Sequence, residues 1–189
     1  MNEKDEIVRE FSKYCSKCSG LCCKRGVFTV FEWENEKLTQ ENKDFKDADV
    51  FDQRGGCRDI AMHSLCMFSD EKGCKLPMEI RPTDCISFPF YPKMKENAEN
   101  MEIESILIQN ECPFSEEISK NKKLVTYMNH FWKLVIKKAT KQEITDWIGE
   151  NGCWGEWYKN AISVNCQSQH KVIPPETDFS IQDKNLCFK

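Results

Sequence analysis

The sequence lacks a long apolar run, a basic excess and any nucleotide or hydrolase fingerprint. Nowhere among the 189 residues is there a stretch near the ~20 apolar residues that cross a bilayer, so no membrane association is expected. The opening residues Met1 to Glu10 carry acids and no apolar centre, unlike a secretory leader, and a cytoplasmic chain is expected. A formal net charge of -4 gives no electrostatic footprint for a general nucleic-acid binder, so none is expected as a partner. No Gly-rich phosphate loop, Gly-x-Ser-x-Gly elbow or dinucleotide fingerprint is present. Histidine is scarce: His63, His130 and His170 are isolated, although His63 lies near enough to Cys66 to serve as a reserve ligand. No internal repeat is evident.

Against these absences stand twelve cysteines. In a reducing compartment, thiols at C-x2-C spacing are better explained by metal or cluster ligation than by disulfides. The densest stretch is Cys15-Ser-Lys-Cys18-Ser-Gly-Leu-Cys22-Cys23. A two-residue gap lets one tight turn bring the sulfurs of Cys15 and Cys18 to a single metal at about 2.3 Å, and Gly20 relaxes the backbone before the next thiol. Adjacent side chains diverge, so Cys22 and Cys23 either serve two centres or divide into one ligand and one packing residue. Lys24 and Arg25 would offset thiolate charge or form a solvated pair. The spacing reverses the C-x3-C-x2-C order of radical-SAM enzymes, and radical chemistry is not inferred.

Ile7, Val8, Phe11 and Tyr14 recur at helical spacing, so residues 3–14 are expected to form an amphipathic helix delivering Cys15 to the site. A short strand is expected at Gly26-Val-Phe, then a helix started by a capping box at Thr29-x-x-Glu32 and carrying Trp33 and Leu38. Residues 39–56, polar and ending in Gly55-Gly56, are expected to be a surface excursion. From Cys66 to Leu76 two short apolar pieces flank a polar turn containing Gly73, a pattern that predicts a hairpin and brings Cys66 near Cys74. In Arg81-Pro82-Thr-Asp-Cys85-Ile-Ser-Phe88-Pro89, proline suits a helix start and Pro89 its end, so Cys85 projects from a short helix. Residues 101–109 have strand-like β-branched content and return the chain to Cys112.

This ordered set, with Cys112-Pro113 following, resembles the YkgJ-type cysteine-cluster proteins, described as zinc- or iron-chelating domains, over about residues 11 to 115. The resemblance implies a ligand set of Cys15, Cys18, Cys22, Cys23, Cys66, Cys74, Cys85 and Cys112. Eight sulfurs would fill two four-thiolate sites, or one with bystanders. Zinc would be held in a closed tetrahedron, and an iron-sulfur cluster such as 4Fe-4S is equally compatible with thiolates. Related cysteine patterns occur in flagellin lysine N-methylases, although this chain is shorter and its Arg-Pro segment is closer to the chelating family.

Beyond the cysteines, Ser115 is expected to cap a helix with an apolar stripe of Leu124, Val125, Met128, Phe131, Trp132 and Val135, its lysines mostly elsewhere. Thr140-x-x-Glu143 is expected to start another, carrying Ile144, Trp147 and Ile148. Trp154, Trp157 and Tyr158 would add an aromatic patch, read as core before partner groove. From about Ser163 the chain lacks periodicity and reads as an extended tail. Cys57, Cys153, Cys166 and Cys187 fall outside the family pattern and read as buried thiols.

The fold expected is α+β: a small, irregular, cysteine-rich metal-binding domain with short strands (1–115), a helical extension packed on it (116–162) and a tail (163–189). The function expected is to hold zinc or an iron-sulfur cluster in a structural or metal-handling role, with a protein partner in the latter case. Two alternatives are a metal-dependent protein-modifying enzyme resembling flagellin lysine N-methylase, and an iron-sulfur redox carrier or sensor. No enzyme class is assigned: dense thiols favour a metal over a single activated cysteine nucleophile.

Overall fold

The computed structural model describes residues 10–11, 13–14, 17–18, 27–41, 45, 50–54, 56–61, 66–70, 73–76, 80–95, 101–148 and 161–165. These residues form an α+β fold with three small antiparallel sheets. Among them, no helix is long and apolar enough to cross a membrane.

The first sheet has the order β1-β3-β2, with β1 Val27–Phe31, β2 Val50–Arg54 and β3 Cys57–Ala61. Helix α1, Glu32–Glu41, follows β1 directly. The expected capping box at Thr29 is overturned, because Val27-Phe28-Thr29-Val30-Phe31 is β-branched and aromatic throughout and Thr29 lies mid-strand. Instead Glu34, one turn into α1, reaches back to accept from the Phe31 N–H at 3.0 Å. Residues 39–56 are not wholly a surface excursion either. They include the last turn of α1, the buried Phe45 and all of β2, whose Arg54 pairs with Cys57 of β3. Gly56 has a packing reason for lacking a side chain: a Cβ there would overlap the Glu143 side chain.

A second sheet is the small hairpin of β4, Ser69–Asp70, and β5, Gly73–Cys74. It matches the hairpin expected from sequence, except that Gly73 is the first residue of β5 rather than part of the turn. Helix α2, Thr83–Ser87, begins after Pro82 and carries Cys85 on its exposed side. The third sheet has the order β6-β7-β8, with β6 Phe90–Met94, β7 Ile103–Ile108 and β8 Ile162–Asn165. Strand β8 pairs with β7 from Ile162 to Asn165, so the chain is still ordered sheet two residues beyond the expected start of the tail at Ser163.

The helical part packs on this third sheet. One helix was expected after Ser115, but there are two, α3 Ser115–Lys120 and α4 Lys122–Lys138. Ser115 is the first helical residue and does not cap; Asn121 breaks the run and caps α4, its side chain accepting from the Leu124 N–H. The stripe from Leu124 to Val135 is buried as expected. Helix α5, Lys141–Ile148, begins at the expected capping box: the Thr140 N–H donates to Glu143 Oε2 at 2.7 Å and the Glu143 N–H donates to Thr140 Oγ1 at 3.1 Å.

Two apolar clusters result. The larger holds α4, α5, β6 and β7 around Trp132 and Trp147, whose rings lie 4.7 Å apart. The Trp132 indole N–H donates to the Phe90 carbonyl at 2.9 Å, so its one polar group is satisfied in the interior. The smaller cluster lies on the face of β1 bearing Phe28 and Val30, and includes Leu38, Phe45, Phe68 and Leu76.

Candidate metal centre

Of the eight cysteines in the expected ligand set, five are described: Cys18, Cys66, Cys74, Cys85 and Cys112. Cys15, Cys22 and Cys23 lie outside the described residues, as do His63, His170, Cys153, Cys166, Cys187, Trp154, Trp157 and Tyr158. Among the described residues, no three His, Cys, Asp or Glu side chains gather closely enough to hold a metal ion. Four of the described thiols, Cys66, Cys74, Cys85 and Cys112, are carried on three arms, and backbone-directed contacts join one arm to the next.

The hairpin is the first arm. The Cys66 carbonyl accepts from both the N–H and the hydroxyl of Ser69 at 2.9 Å, which turns the chain into β4. Cys66 is buried in the smaller cluster and Cys74 packs against it half-buried, so the hairpin brings these two thiols into one neighbourhood. Arg81 fastens the returning strand to the next arm: its Nε donates to the Leu76 carbonyl at 2.9 Å and its Nη2 to the Cys74 carbonyl at 3.5 Å.

Helix α2 is the second arm, and two buried carboxylates hold it. Glu34 Oε1 accepts from both the N–H and the hydroxyl of Thr83 at 2.6 Å, while its other oxygen takes the Phe31 N–H. Asp84 Oδ2 accepts from the Thr29 N–H at 2.9 Å, and Oδ1 from the Tyr91 hydroxyl at 3.1 Å. The N–H groups of Thr29 and Phe31 point to the edge of β1 away from β3, where a further strand would have paired. The carboxylates terminate that edge and tie β1, α1, α2 and β6 into one joint. Desolvation pushes Glu34 up to about 7, against the opposing hydrogen bonds from Thr83 and Phe31 and the charge of Lys138. The sequence reading assigned neither carboxylate a role; for Glu34 the available signal was an acid one helical turn past a strand.

The turn at Cys112 is the third arm. Phe88-Pro89 leaves α2, and the Pro89 carbonyl accepts from the Gln109 N–H at 2.9 Å where β7 ends. The Gln109 carbonyl accepts in turn from the Cys112 N–H at 3.2 Å. The segments carrying Cys85 and Cys112 are therefore fastened to each other at Pro89. As expected from sequence, β7 returns the chain to this point.

The N-terminal segment meets the same region. Glu10, Phe11, Lys13 and Tyr14 are helical, in line with the expected helix in the part that is described. Phe11 lies against Phe90 with ring centroids 5.7 Å apart, and Tyr14 against Phe114 at 5.9 Å. Asn121 Nδ2 donates to Glu10 Oε2 at 3.4 Å. Tyr14 immediately precedes Cys15, and Phe114 is two residues from Cys112, so the chain enters its densest cysteine run beside the third arm.

Two cysteines test the distinction between ligand and core. Cys57, outside the family pattern, is buried in the larger cluster and its thiol donates to the Glu143 carbonyl at 3.4 Å. That is the behaviour of a packed, structural thiol. Cys112 is also buried in the larger cluster, in the turn where its N–H donates to the Gln109 carbonyl. By residue type, thiols are donors that zinc and iron-sulfur centres take. Compared with protein-family models, curated proteins and solved structures, the chain matches none.

Proposed function

We propose that this chain is a metal-binding protein whose cysteine thiolates hold zinc or an iron-sulfur cluster between the N-terminal cysteine run and the three arms, in a structural or metal-handling role. The ligand set proposed is Cys15, Cys18, Cys22, Cys23, Cys66, Cys74, Cys85 and Cys112. The observation that carries this reading is the unbroken series of contacts from the hairpin through Arg81, α2, Pro89 and Gln109 to Cys112, and from Phe114 to Tyr14, next to Cys15. Pieces of chain far apart in sequence, each carrying a thiol, are linked to one another, which supports a metal that cross-links them. The resemblance of the cysteine spacing to YkgJ-type proteins points the same way. A bound zinc would supply a closed tetrahedral cross-link, and a cluster would supply electron transfer.

The test is metal content in cysteine variants. Cys18→Ser and Cys74→Ser are expected to lower metal per chain by half or more, because each removes a thiolate from a shared centre, whereas Cys57→Ser, at a thiol already committed to Glu143, retains the wild-type content. Equal retention in all three would defeat the assignment.

A further inference from the structure

We propose that the outward face of α4 is a docking ridge for an acidic helical segment of another protein. No cysteine and no metal takes part in it. Helix α4 carries five lysines and no acid in a chain whose formal net charge is -4, so its charge is segregated from that of the rest. The stripe from Leu124 to Ile136 buries one side of the helix. At about 100° per residue, Lys122, Lys123, His130, Lys133 and Lys137 fall in one arc on the opposite side and run for about 22 Å along the axis. These four lysines are exposed and His130 is half-buried. Lys138 leaves the ridge, its ammonium lying 3.5 Å from the centre of the Trp33 ring.

The helix itself gains little from this arrangement. Its first turn holds Lys122 and Lys123 and no acid, although the positive end of the helix dipole favours carboxylates there. Lys133 and Lys137 are like charges four residues apart, a spacing that destabilises a helix. Burial, and then the charges of Lys133 and Lys137, hold the His130 imidazole below its ordinary range. Among the described residues, Lys122, Lys133 and Lys137 enter no ion pair. Local costs of this kind are kept where a surface is used.

Charge complementarity selects an anion, and the surroundings select its class. A membrane-seated helix would offer apolar anchors, but the exposed large apolar side chains among the described residues are Val50 and Met67, neither on α4. A nucleic acid would run past the ridge onto the remainder of the chain, which is net negative and repels it. A helix of roughly 15 residues spans the ridge and ends with it, and acids three and four residues apart place its carboxylates on one face.

The experiment measures fluorescence anisotropy of two labelled helical peptides of identical composition with the full chain. One peptide has its glutamates on a single face and the other has them dispersed around the helix. The proteins are the wild type, Lys133→Gln/Lys137→Gln, and Lys93→Gln/Lys95→Gln, which makes the same charge change on the third sheet. The wild type is expected to prefer the single-face peptide and to release it as salt is raised. Lys133→Gln/Lys137→Gln is expected to weaken that binding on the order of tenfold, and Lys93→Gln/Lys95→Gln to leave it within about twofold. Thermal unfolding is expected to show the α4 variant at least as stable as the wild type, since a like-charge pair has been removed. Should it not fold, Lys122→Gln/Lys123→Gln at the other end of the ridge is read in the same way.

Failure of the wild type to bind the single-face peptide overturns the proposal. So do equal binding of both peptides and equal losses in both double variants, which would report net charge alone. Tighter binding of duplex DNA or of phosphatidylserine vesicles than of the peptide, lost in the α4 variant, assigns the ridge to another class of partner and overturns it as well. Low-salt self-association of the wild type that the α4 variant abolishes does the same, because the occupant is then a second copy of this chain.

Discussion

The helical layer on the third sheet and the cysteine-bearing arms are built by different means. Around Trp132 and Trp147, side chains of α4, α5, β6 and β7 bury a continuous apolar cluster, and the elements meet through side-chain packing. The hairpin arm rests on the smaller cluster and the other two arms meet the margin of the larger one through Ile86 and Cys112, and the first two are positioned by polar groups acting on backbone: Arg81 on two carbonyls, Glu34 and Asp84 on three N–H groups. Packing of the first kind sustains itself without a ligand. Hydrogen bonds of the second kind contribute modestly each, about 1 kcal/mol net, and orient short elements without supplying a large core. A region organised this way has most to gain from a metal cross-link.

The sharpest way to break this contrast is to open the larger core. Trp132→Ala is expected to destabilise the chain by about 3 to 5 kcal/mol, measured by denaturant unfolding, and by similar amounts with and without metal. A loss confined to the metal-loaded protein would mean that the helical layer also depends on the centre.

Removing the carboxylate that ties the two larger sheets should act next most strongly. Asp84→Ala leaves the Thr29 N–H and the Tyr91 hydroxyl without their acceptor. A cost on the order of 3 kcal/mol is expected, together with faster hydrogen exchange in β1 and α2 than in α4. Uniform acceleration across both regions would erase the distinction.

Glu34 gives the smallest and most specific effect, a pH dependence. Its folded-state pKa is raised from 4.5 to about 7, chiefly by desolvation. Folding therefore favours its protonated form; the stability it contributes is full below about 4.5 and is lost as pH rises through about 7. Between pH 5 and 8 the wild type should lose about 2 kcal/mol relative to Glu34→Gln, read as the difference between their denaturation curves. That comparison removes thiol titration, which the two proteins share. Parallel curves at both pH values would contradict the burial of this carboxylate.

Much of the scaffold was legible in the sequence where local chemistry and tertiary context agree. The hairpin around Gly73, the short helix between Pro82 and Pro89, the stripe on α4 and the capping box at Thr140 and Glu143 each carry a local signal that the fold retains. Thr29 and Glu32 carry an equally good local signal that loses, because a five-residue β-branched and aromatic run pairs with β3 instead. Phe45 and β2 were hidden in a polar stretch whose burial depends on partners distant in sequence. The same holds for the joint at Glu34 and Asp84: an acid in a motif reads as exposed until the strand edge it terminates is known. Of the proposed centre, the sequence showed the cysteines and their spacing, while the order in which Arg81, Pro89 and Gln109 link the arms needed three dimensions.

The most direct measurement is iron, zinc and acid-labile sulfide per chain on anaerobically purified protein, with its visible absorption spectrum. Stoichiometric zinc without sulfide, or iron matched by sulfide with a brown chromophore, is the predicted result, and the two outcomes separate the structural centre from the cluster. Folded protein with neither zinc nor iron, and with all its thiols titratable, would contradict a metal centre built on these cysteines.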